Sequence, residues 1–503
     1  MTGSYDSLPG LLAAVAAQHP GRDAFVDGAA RLTFAGWHRR AAGLASVLAR
    51  RGVTRGDVVC LMLPSSIDYA VCYAAIAQLG AVVTGINTRF GPTEVEGILS
   101  ACEPVMVIGS GSARARVPAG YSGQLLDAGD LPECYAEPAL DHFPAPRPAD
   151  PAVIVWTSGT TGAPKGAWFD HAALRAGADV SGLLSAPFDR RLMPTPFAHA
   201  GFMTRVWDQL AYVITSVLTP AAWSAQAMLA ALADEQVTVG QGVPTQWEKL
   251  LALPELPGTP LPHLRVIGTG ATRVPAGLVR ALRQALDCPV IVRYATTETP
   301  TVSGTRTDDP AEVLERTVGR AQDGITIRIL GEDGKELPVA QVGRVAIKSP
   351  FQMRGYWRDP EQTAQCFTPE GLFVSSDLGR LDADGNLTLS GRASEVYIRG
   401  GYNVYPLEVE NALSAHPGVA AAAVVSAPAP VIGEIGVAFV VAATAGAPSA
   451  AELRSWCAAR LADYKAPDRV EFVRELPLNA MMKVDKLALA RQARGEDATG
   501  RVR

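Results

Sequence analysis

The chain has no closely spaced cysteines, no basic run and no unbroken apolar segment long enough to cross a bilayer, and each absence removes a class of protein. Its seven cysteines (Cys60, Cys72, Cys102, Cys134, Cys288, Cys366, Cys457) lie far apart in 503 residues. None of the spacings is that of a zinc site or a disulfide framework. An odd, dispersed set reads as small buried apolar side chains in a reducing compartment. The seven histidines are equally scattered, which argues against a metal site built on histidine. Lys and Arg number 45 against 50 Asp and Glu, a net charge of −5. The positive groups are nowhere gathered, so nothing draws the chain to nucleic acid. The N-terminus lacks a basic n-region, and residues 11–17 read as a helix, too short for a signal core. The most apolar stretch, 419–443, is interrupted by prolines, glycines and Glu434, so no membrane span is expected. The expectation is a cytoplasmic protein.

What remains is an ordinary globular composition, 48% apolar and 19% charged, in a chain too long for one core. From residue 11 to about 144, helical and strand patterns alternate. Helical spacing covers 32–51 and 68–79, with apolar strand runs at 57–64 and 81–85. Such alternation predicts a largely parallel sheet covered by helices on both faces. Four prolines between 143 and 151 mark a loop. The alternation resumes over 152–294. Short strands at 325–330, 343–348 and 386–390, joined by Gly-containing turns, then predict a small β-rich subdomain. After Gly391 the pattern restarts: helices at 406–414 and 449–461, strands at 419–425, 437–442 and 469–473. That is a compact α+β unit of ordinary domain size.

The segment most specific for chemistry is Val153-Ile-Val-Trp-Thr-Ser-Gly-Thr-Thr-Gly-Ala-Pro-Lys-Gly166. A buried strand runs into a loop of glycines, hydroxyls and one lysine. Glycines let backbone N–H groups approach an anion, hydroxyls add donors and Lys165 adds charge, so a polyphosphate suits it. The order is not that of a Walker A loop.

This segment resembles the phosphate loop of the adenylate-forming superfamily, and further motifs in the family's order cover residues 30–490. They are Pro196-Phe-Ala-His-Ala-Gly201, Tyr294-Ala-Thr-Thr-Glu298, Ser376-Asp-Leu-Gly379, Gly391-Arg-Ala-Ser-Glu395, Arg399-Gly-Gly-Tyr402 and Pro477-Leu-Asn-Ala-Met-Met-Lys483. The resemblance is to the acyl-CoA synthetase branch. It implies an N-terminal adenylate-forming domain, 1–392, made of two doubly wound α/β subdomains and the β-rich one, and a small mobile α+β domain, 393–503.

The resemblance also implies roles. Thr157, Ser158, Gly159, Thr160, Thr161, Gly162 and Lys165 hold the phosphates of ATP. Tyr294 stacks on adenine, flanked by Ala295, Thr296, Gly270 and Ala271. Thr297 donates to the α-phosphate, and Glu298 ligands Mg²⁺, a hard cation that needs oxygen donors. Asp377 and Arg392 hold the ribose, a diol that a carboxylate and a guanidinium fix by directional bonds. His199 gates the entering carboxylate, and Lys483 bridges it to the α-phosphate. Phe202, Met203, Trp207, Val243, Gly268 and Thr269 line the acyl pocket, mostly apolar, which points to a hydrophobic and bulky or alicyclic acid. Ser394 is the hinge, and Gly400 and Gly401 leave room for a pantetheine arm. Ala295 and Met482 stand where relatives carry glycine.

The reaction so implied is carboxylic acid plus ATP to acyl-AMP and pyrophosphate, then transfer to coenzyme A. The alternatives are loading of a carrier protein, a non-catalytic nucleotide-binding relative, and a malonate-type dicarboxylate ligase. The last rests on Arg293, just before Tyr294, receiving a second carboxylate. A strand-end arginine is otherwise expected to be solvated or ion-paired. The sequence leaves oligomeric state open, a homodimer included.

Overall fold

The computed structural model describes residues 5–140, 142–143, 145–157, 164–220, 223–272, 274–275, 277–443, 446–479 and 483–496. The expected phosphate-binding residues 158–162 and Met482 lie outside them.

The first sheet is built on Val58–Met62, which pairs in parallel with Val82–Gly85 and Met106–Gly109. All five residues of Val58–Met62 are buried, as expected of a strand with helices on both faces. Pro151–Thr157 extends this sheet in parallel and returns as the antiparallel strand Lys165–Asp170. The predicted helices are Phe34–Arg50 and Ile67–Gln78, each started by a side-chain cap, Thr33 and Ser66. The second sheet carries Arg190–Met193, Thr215–Leu218, Val239–Gly242, Val266–Gly270 and Val290–Tyr294, all parallel.

The sheets do not follow the sequence blocks. Asp23–Asp27, from the first block, pairs in parallel with Thr215–Leu218 of the second sheet. Gly355–Tyr356, from the β-rich block, adds an edge to the first. Ala24, Phe25 and Val26 are fully buried there. Periodicity shows such a strand's buried character but not which distant edge it covers.

The β-rich subdomain is a four-stranded antiparallel sheet, and its longest member, Phe373–Leu381, was not expected from the pattern. Its polar run Ser375, Ser376, Asp377 masks the alternation. The C-terminal unit pairs Val419–Ala429 with Gly433–Ala442, so the apolar stretch 419–443 is a hairpin. Pro428 is tolerated because Val419–Ala429 is an edge strand. Pro406–Ser414 and Ala450–Ala458 pack on one face of this hairpin and Lys486–Ala493, not anticipated, on the other. The helix predicted to reach 461 ends at Ala458. Among the described residues no helix is long and apolar enough to cross a membrane.

Candidate active site

The carboxyl ends of the parallel strands meet the β-rich subdomain along one cleft. Val290–Tyr294 delivers Tyr294, whose hydroxyl donates to Asp377 Oδ2 at 2.6 Å. Asp377 stands opposite Arg392 in antiparallel register, and Arg392 Nε lies 3.4 Å from its other oxygen. Both carboxylate oxygens are thus oriented. Burial, then the Asp377 charge, lifts the Tyr294 phenol well above its usual range, so it stays a donor.

After Tyr294 the chain makes a tight turn. Thr299 N–H donates to Thr296 Oγ1 at 3.0 Å and the two hydroxyls meet at 2.9 Å. Glu298 follows, with Oε1 accepting the Tyr356 hydroxyl at 2.8 Å and its carbonyl accepting Met353 N–H at 2.8 Å. Lys165 Nζ sits 5.6 Å from the Tyr356 ring centroid. Lys165, Tyr356 and Glu298 therefore form one cluster. Tyr356 is brought there by the edge strand that docks it against Ala167. Gly270, opposite Arg293 in register, leaves no room for a Cβ, which would lie 2.2 Å from the Arg293 carbonyl oxygen. Ala271 next to it has φ +65, a strained value for a residue with a side chain. Ala295 is exposed at the start of the turn.

At the other end stand His199 and Lys483. His199 caps the helix Ala200–Met203, and its Nδ1 accepts Gly201 N–H at 3.2 Å. An accepting Nδ1 leaves Nε2–H as the donor. Burial, then the nearby Lys483 charge, presses the imidazole down to about 4, so it is neutral at pH 7. Lys483 is tied back to Asn479: Asn479 N–H donates to Lys483 O at 2.7 Å, and Lys483 N–H to Asn479 Oδ1 at 3.1 Å. Its ammonium is lowered to about 8 by burial and then by Arg392, with Asp377 opposing. The fold thus gathers Lys483, His199, Asp377, Arg392 and Tyr294 from three separate units.

The expected acyl residues divide. Phe202 stacks on Phe197 with ring centroids 3.7 Å apart and meets Tyr69 edge-on. Met203 accepts the Tyr69 hydroxyl through sulfur at 3.2 Å, and Trp207 joins the same buried core. Val243 is the N-cap residue of Pro244–Leu251. Thr269 is buried with its hydroxyl unpartnered. Gly268 faces Leu184, whose Cδ2 would lie 3.0 Å from a Cβ at that position. Leu184 belongs to the 3-10 turn Gly182–Leu184, which the sequence did not single out. Three arginines hold this turn: Arg293 donates to Ser181 O at 2.5 Å, Arg265 to Leu183 O at 2.8 Å and Arg191 to Leu184 O at 2.9 Å.

Arg293 is half-buried, and among the described residues no carboxylate lies at ion-pair distance from it. Its other acceptor is the Gln322 side-chain carbonyl. Burial, then Arg205, lowers it to about 9, with Asp208 opposing.

Ser394 is exposed in the 3-10 turn Ala393–Glu395, and the next residue, Glu395, pairs with Lys486 at 2.6 Å. Gly400 and Gly401, at φ +57 and +88, form an exposed turn with nothing within 4 Å of either Cβ position. They stand apart from the Lys483 cluster.

The family model for AMP-binding enzymes matches residues 12–357, and that for the AMP-binding enzyme C-terminal domain matches 408–483. The chain belongs to the AMP-binding enzyme family. It is 32% identical to 3-[(3aS,4S,7aS)-7a-methyl-1,5-dioxo-octahydro-1H-inden-4-yl]propanoyl:CoA ligase of Rhodococcus jostii, over 97% of this chain and 99% of that one. It is 33% identical to sulfoacetate–CoA ligase of Cupriavidus necator, over 97% and 98%. ATP-bound MatB from Rhodopseudomonas palustris superposes with a TM-score of 0.87 at 29% identity, covering 96% of this chain and 98% of that one. The apo form of that enzyme gives 0.78. This AMP-binding enzyme is therefore an AMP-forming acid–thiol ligase of the acyl-CoA synthetase type, with ATP, a carboxylic acid and coenzyme A as its substrates.

Proposed function

We propose that the arrangement described is the adenylating state, and that residues 1–392 and 393–503 are the two bodies that move to run the second half-reaction. The observation that carries this reading is Lys483 beside His199, Asp377 and Arg392, while Gly400 and Gly401 stay in solvent.

In this reading the acid enters past His199. A neutral imidazole donates from Nε2 without trapping the carboxylate as an ion pair. Lys483 lies between the carboxylate and the α-phosphate. Its ammonium stabilises the negative charge that builds as a carboxylate oxygen bonds to phosphorus and the bond to pyrophosphate breaks. Asp377, held by Tyr294 and Arg392, takes the ribose hydroxyls, and Thr297 donates to the α-phosphate. Lys165 meets the outgoing phosphates. Glu298 fits a Mg²⁺ site: one oxygen is fixed by Tyr356, and a single carboxylate completed by phosphate oxygens and water is this ion's usual environment. When bound, the ion neutralises charge on the leaving pyrophosphate.

Rotation about exposed Ser394 then withdraws Lys483 and brings Gly400 and Gly401 to the adenylate. The coenzyme A sulfur bonds to the acyl carbon and AMP leaves with the bonding pair. In this reading the carbon skeleton of the acid lies against the apolar residues Val243, Leu184 and Gly268. A cytoplasmic setting is supported by the cysteines, all seven of them free thiols.

The test is pyrophosphate release with ATP and Mg²⁺ across fatty, aromatic, alicyclic and dicarboxylic acids, with and without coenzyme A, on the parent and Lys483→Ala. Release with one acid class, a thioester only with coenzyme A, and loss of release in the variant support the reading. Parent-like acyl-AMP formation by Lys483→Ala overturns the assignment of Lys483.

A further inference from the structure

Glu395 and Lys486 are 91 residues apart in the chain and meet in an ion pair. Glu395 directly follows Ser394, and Lys486 stands three residues after Lys483. Lys486 Nζ lies 2.6 Å from Glu395 Oε2 and 3.0 Å from Glu410 Oε1. One ammonium thus joins the turn Ala393–Glu395 to the segment that carries Lys483.

Neutralising Lys486 does not require Glu395. Glu410 is buried, and the oxygen that meets the ammonium also accepts Val424 N–H at 2.9 Å. A buried carboxylate and ammonium so arranged already answer each other's charge. Burial works against the Lys486 ammonium, yet Glu410 first and Glu395 second hold it above its ordinary range. One ammonium between two carboxylates leaves these three groups net negative. Glu395 is only partly buried, and a partly exposed pair contributes little to stability. The second carboxylate is therefore surplus to the fold, and its effect is mechanical.

The contacts around it show what is tied to what. Asp485 caps the helix Lys486–Ala493 by accepting Ala488 N–H at 3.0 Å, and its own N–H donates to Pro477 O at 2.8 Å. Leu489 and Ala493 seat that helix on the hairpin of Val419–Ala429 and Gly433–Ala442. On the far side of Ser394, Arg392 stands in register with Asp377 on the nucleotide side of the cleft. Arg392 is thus fixed to one body and Glu395 to the other. Only Ala393 and Ser394, both exposed, lie between them.

We infer that Glu395 and Lys486 are positioning residues for the adenylation step: their ion pair makes the turn after Ser394 and the Lys483 segment one rigid piece, so that rotation confined to Ala393 and Ser394 sets where Lys483 stands. This rests on the adenylating reading above. Both residues act through Lys483, and misplacing a catalytic group by about 1 Å costs about a hundredfold in rate.

The test uses the full-length chain, with the acid that the panel above selects. Single-turnover pyrophosphate release, and thioester formation from chemically made acyl-AMP, are read on the parent, Glu395→Ala, Glu395→Asp and Glu471→Ala. Glu471 is the control: it pairs with Arg469 at 2.9 Å in the strand Arg469–Phe472 of the same unit. Glu395→Ala keeps the Lys486–Glu410 pair, so its Tm should match that of the control. Its acyl-AMP formation should fall about ten- to a hundredfold, in kcat rather than in either KM. A displaced Lys483 loses burial and its neighbours Arg392, Asp377 and His199, so the alkaline limb moves up from about 8 toward the ordinary lysine range. Thioester formation should change less. Glu395→Asp keeps the charge but shortens the reach, so it should not restore the rate. A parent-like rate and limb in Glu395→Ala overturn the inference, and so does full recovery in Glu395→Asp, which would mark a charge acting at a distance. A Tm below the control with an unmoved limb marks a merely structural pair and overturns it as well. Slow Lys483→Ala beside parent-like Glu395→Ala sinks the inference alone. Parent-like Lys483→Ala sinks the adenylating reading and the inference with it.

Discussion

The pH dependence of the first half-reaction follows from one group. In the proposed adenylating role Lys483 must be protonated to stabilise charge on the α-phosphate, and burial together with Arg392 holds its ammonium down at about 8. The active form is the protonated one, so the rate is full below that value and lost above it. One unit higher, about a tenth of the lysine remains charged, and kcat/KM for the acid falls about tenfold per further unit. Bound ATP adds negative charge beside the ammonium and raises its pKa, so the limb in kcat lies at higher pH than the limb in kcat/KM. His199, pressed to about 4, stays neutral throughout and contributes no limb near neutrality. The assay is single-turnover pyrophosphate release from pH 6.5 to 9.5. Thioester formation from chemically made acyl-AMP serves as the control, because the proposed rotation withdraws Lys483 from that step. Lys483→Arg should move the limb out of range, since a guanidinium does not titrate there. Lys483→Ala should lose about 10² to 10³ in rate, as for one preorganised charge-stabilising donor. A kcat/KM profile flat to pH 9.5, or the same limb in both half-reactions, refutes the assignment.

Tyr356→Phe removes the hydroxyl that fixes Glu298, and a hydrogen bond to a charged group is worth about 1.5–3 kcal/mol. The Mg²⁺ concentration for half-maximal pyrophosphate release should rise about tenfold or more, with the KM for the acid little changed. Asp377→Asn should weaken the proposed ribose contact and loosen the hold on Tyr294, so the KM for ATP should rise; an unchanged value would remove Asp377 from the nucleotide site. Lys486→Met leaves the buried Glu410 carboxylate, now paired at 3.0 Å, without its cation. That should destabilise the C-terminal unit by about 3 kcal/mol, seen as faster hydrogen exchange in Val419–Ala429 and Gly433–Ala442 with the N-terminal sheets unaffected.

The cluster of Tyr294, Asp377 and Arg392 was legible as short motifs, each carrying its polar residues close together in sequence. Tyr294, Thr297 and Glu298 come from one turn, and Asp377 and Arg392 flank one hairpin. What pattern reading missed arises from non-local pairing. Phe373–Leu381 carries Asp377 yet shows no clean alternation, because Ser375, Ser376 and Asp377 put polar residues on both of its faces. Asp23–Asp27 and Gly355–Tyr356 cover edges of sheets that their own blocks do not form, and Tyr356 reaches Glu298 only through that docking. The acid side was the least legible. Phe202 and Met203 follow the gate histidine in sequence, but helical geometry turns them onto Tyr69 and Tyr73 in the core. Gly268 is faced by Leu184, in a turn fixed by arginines from three other segments.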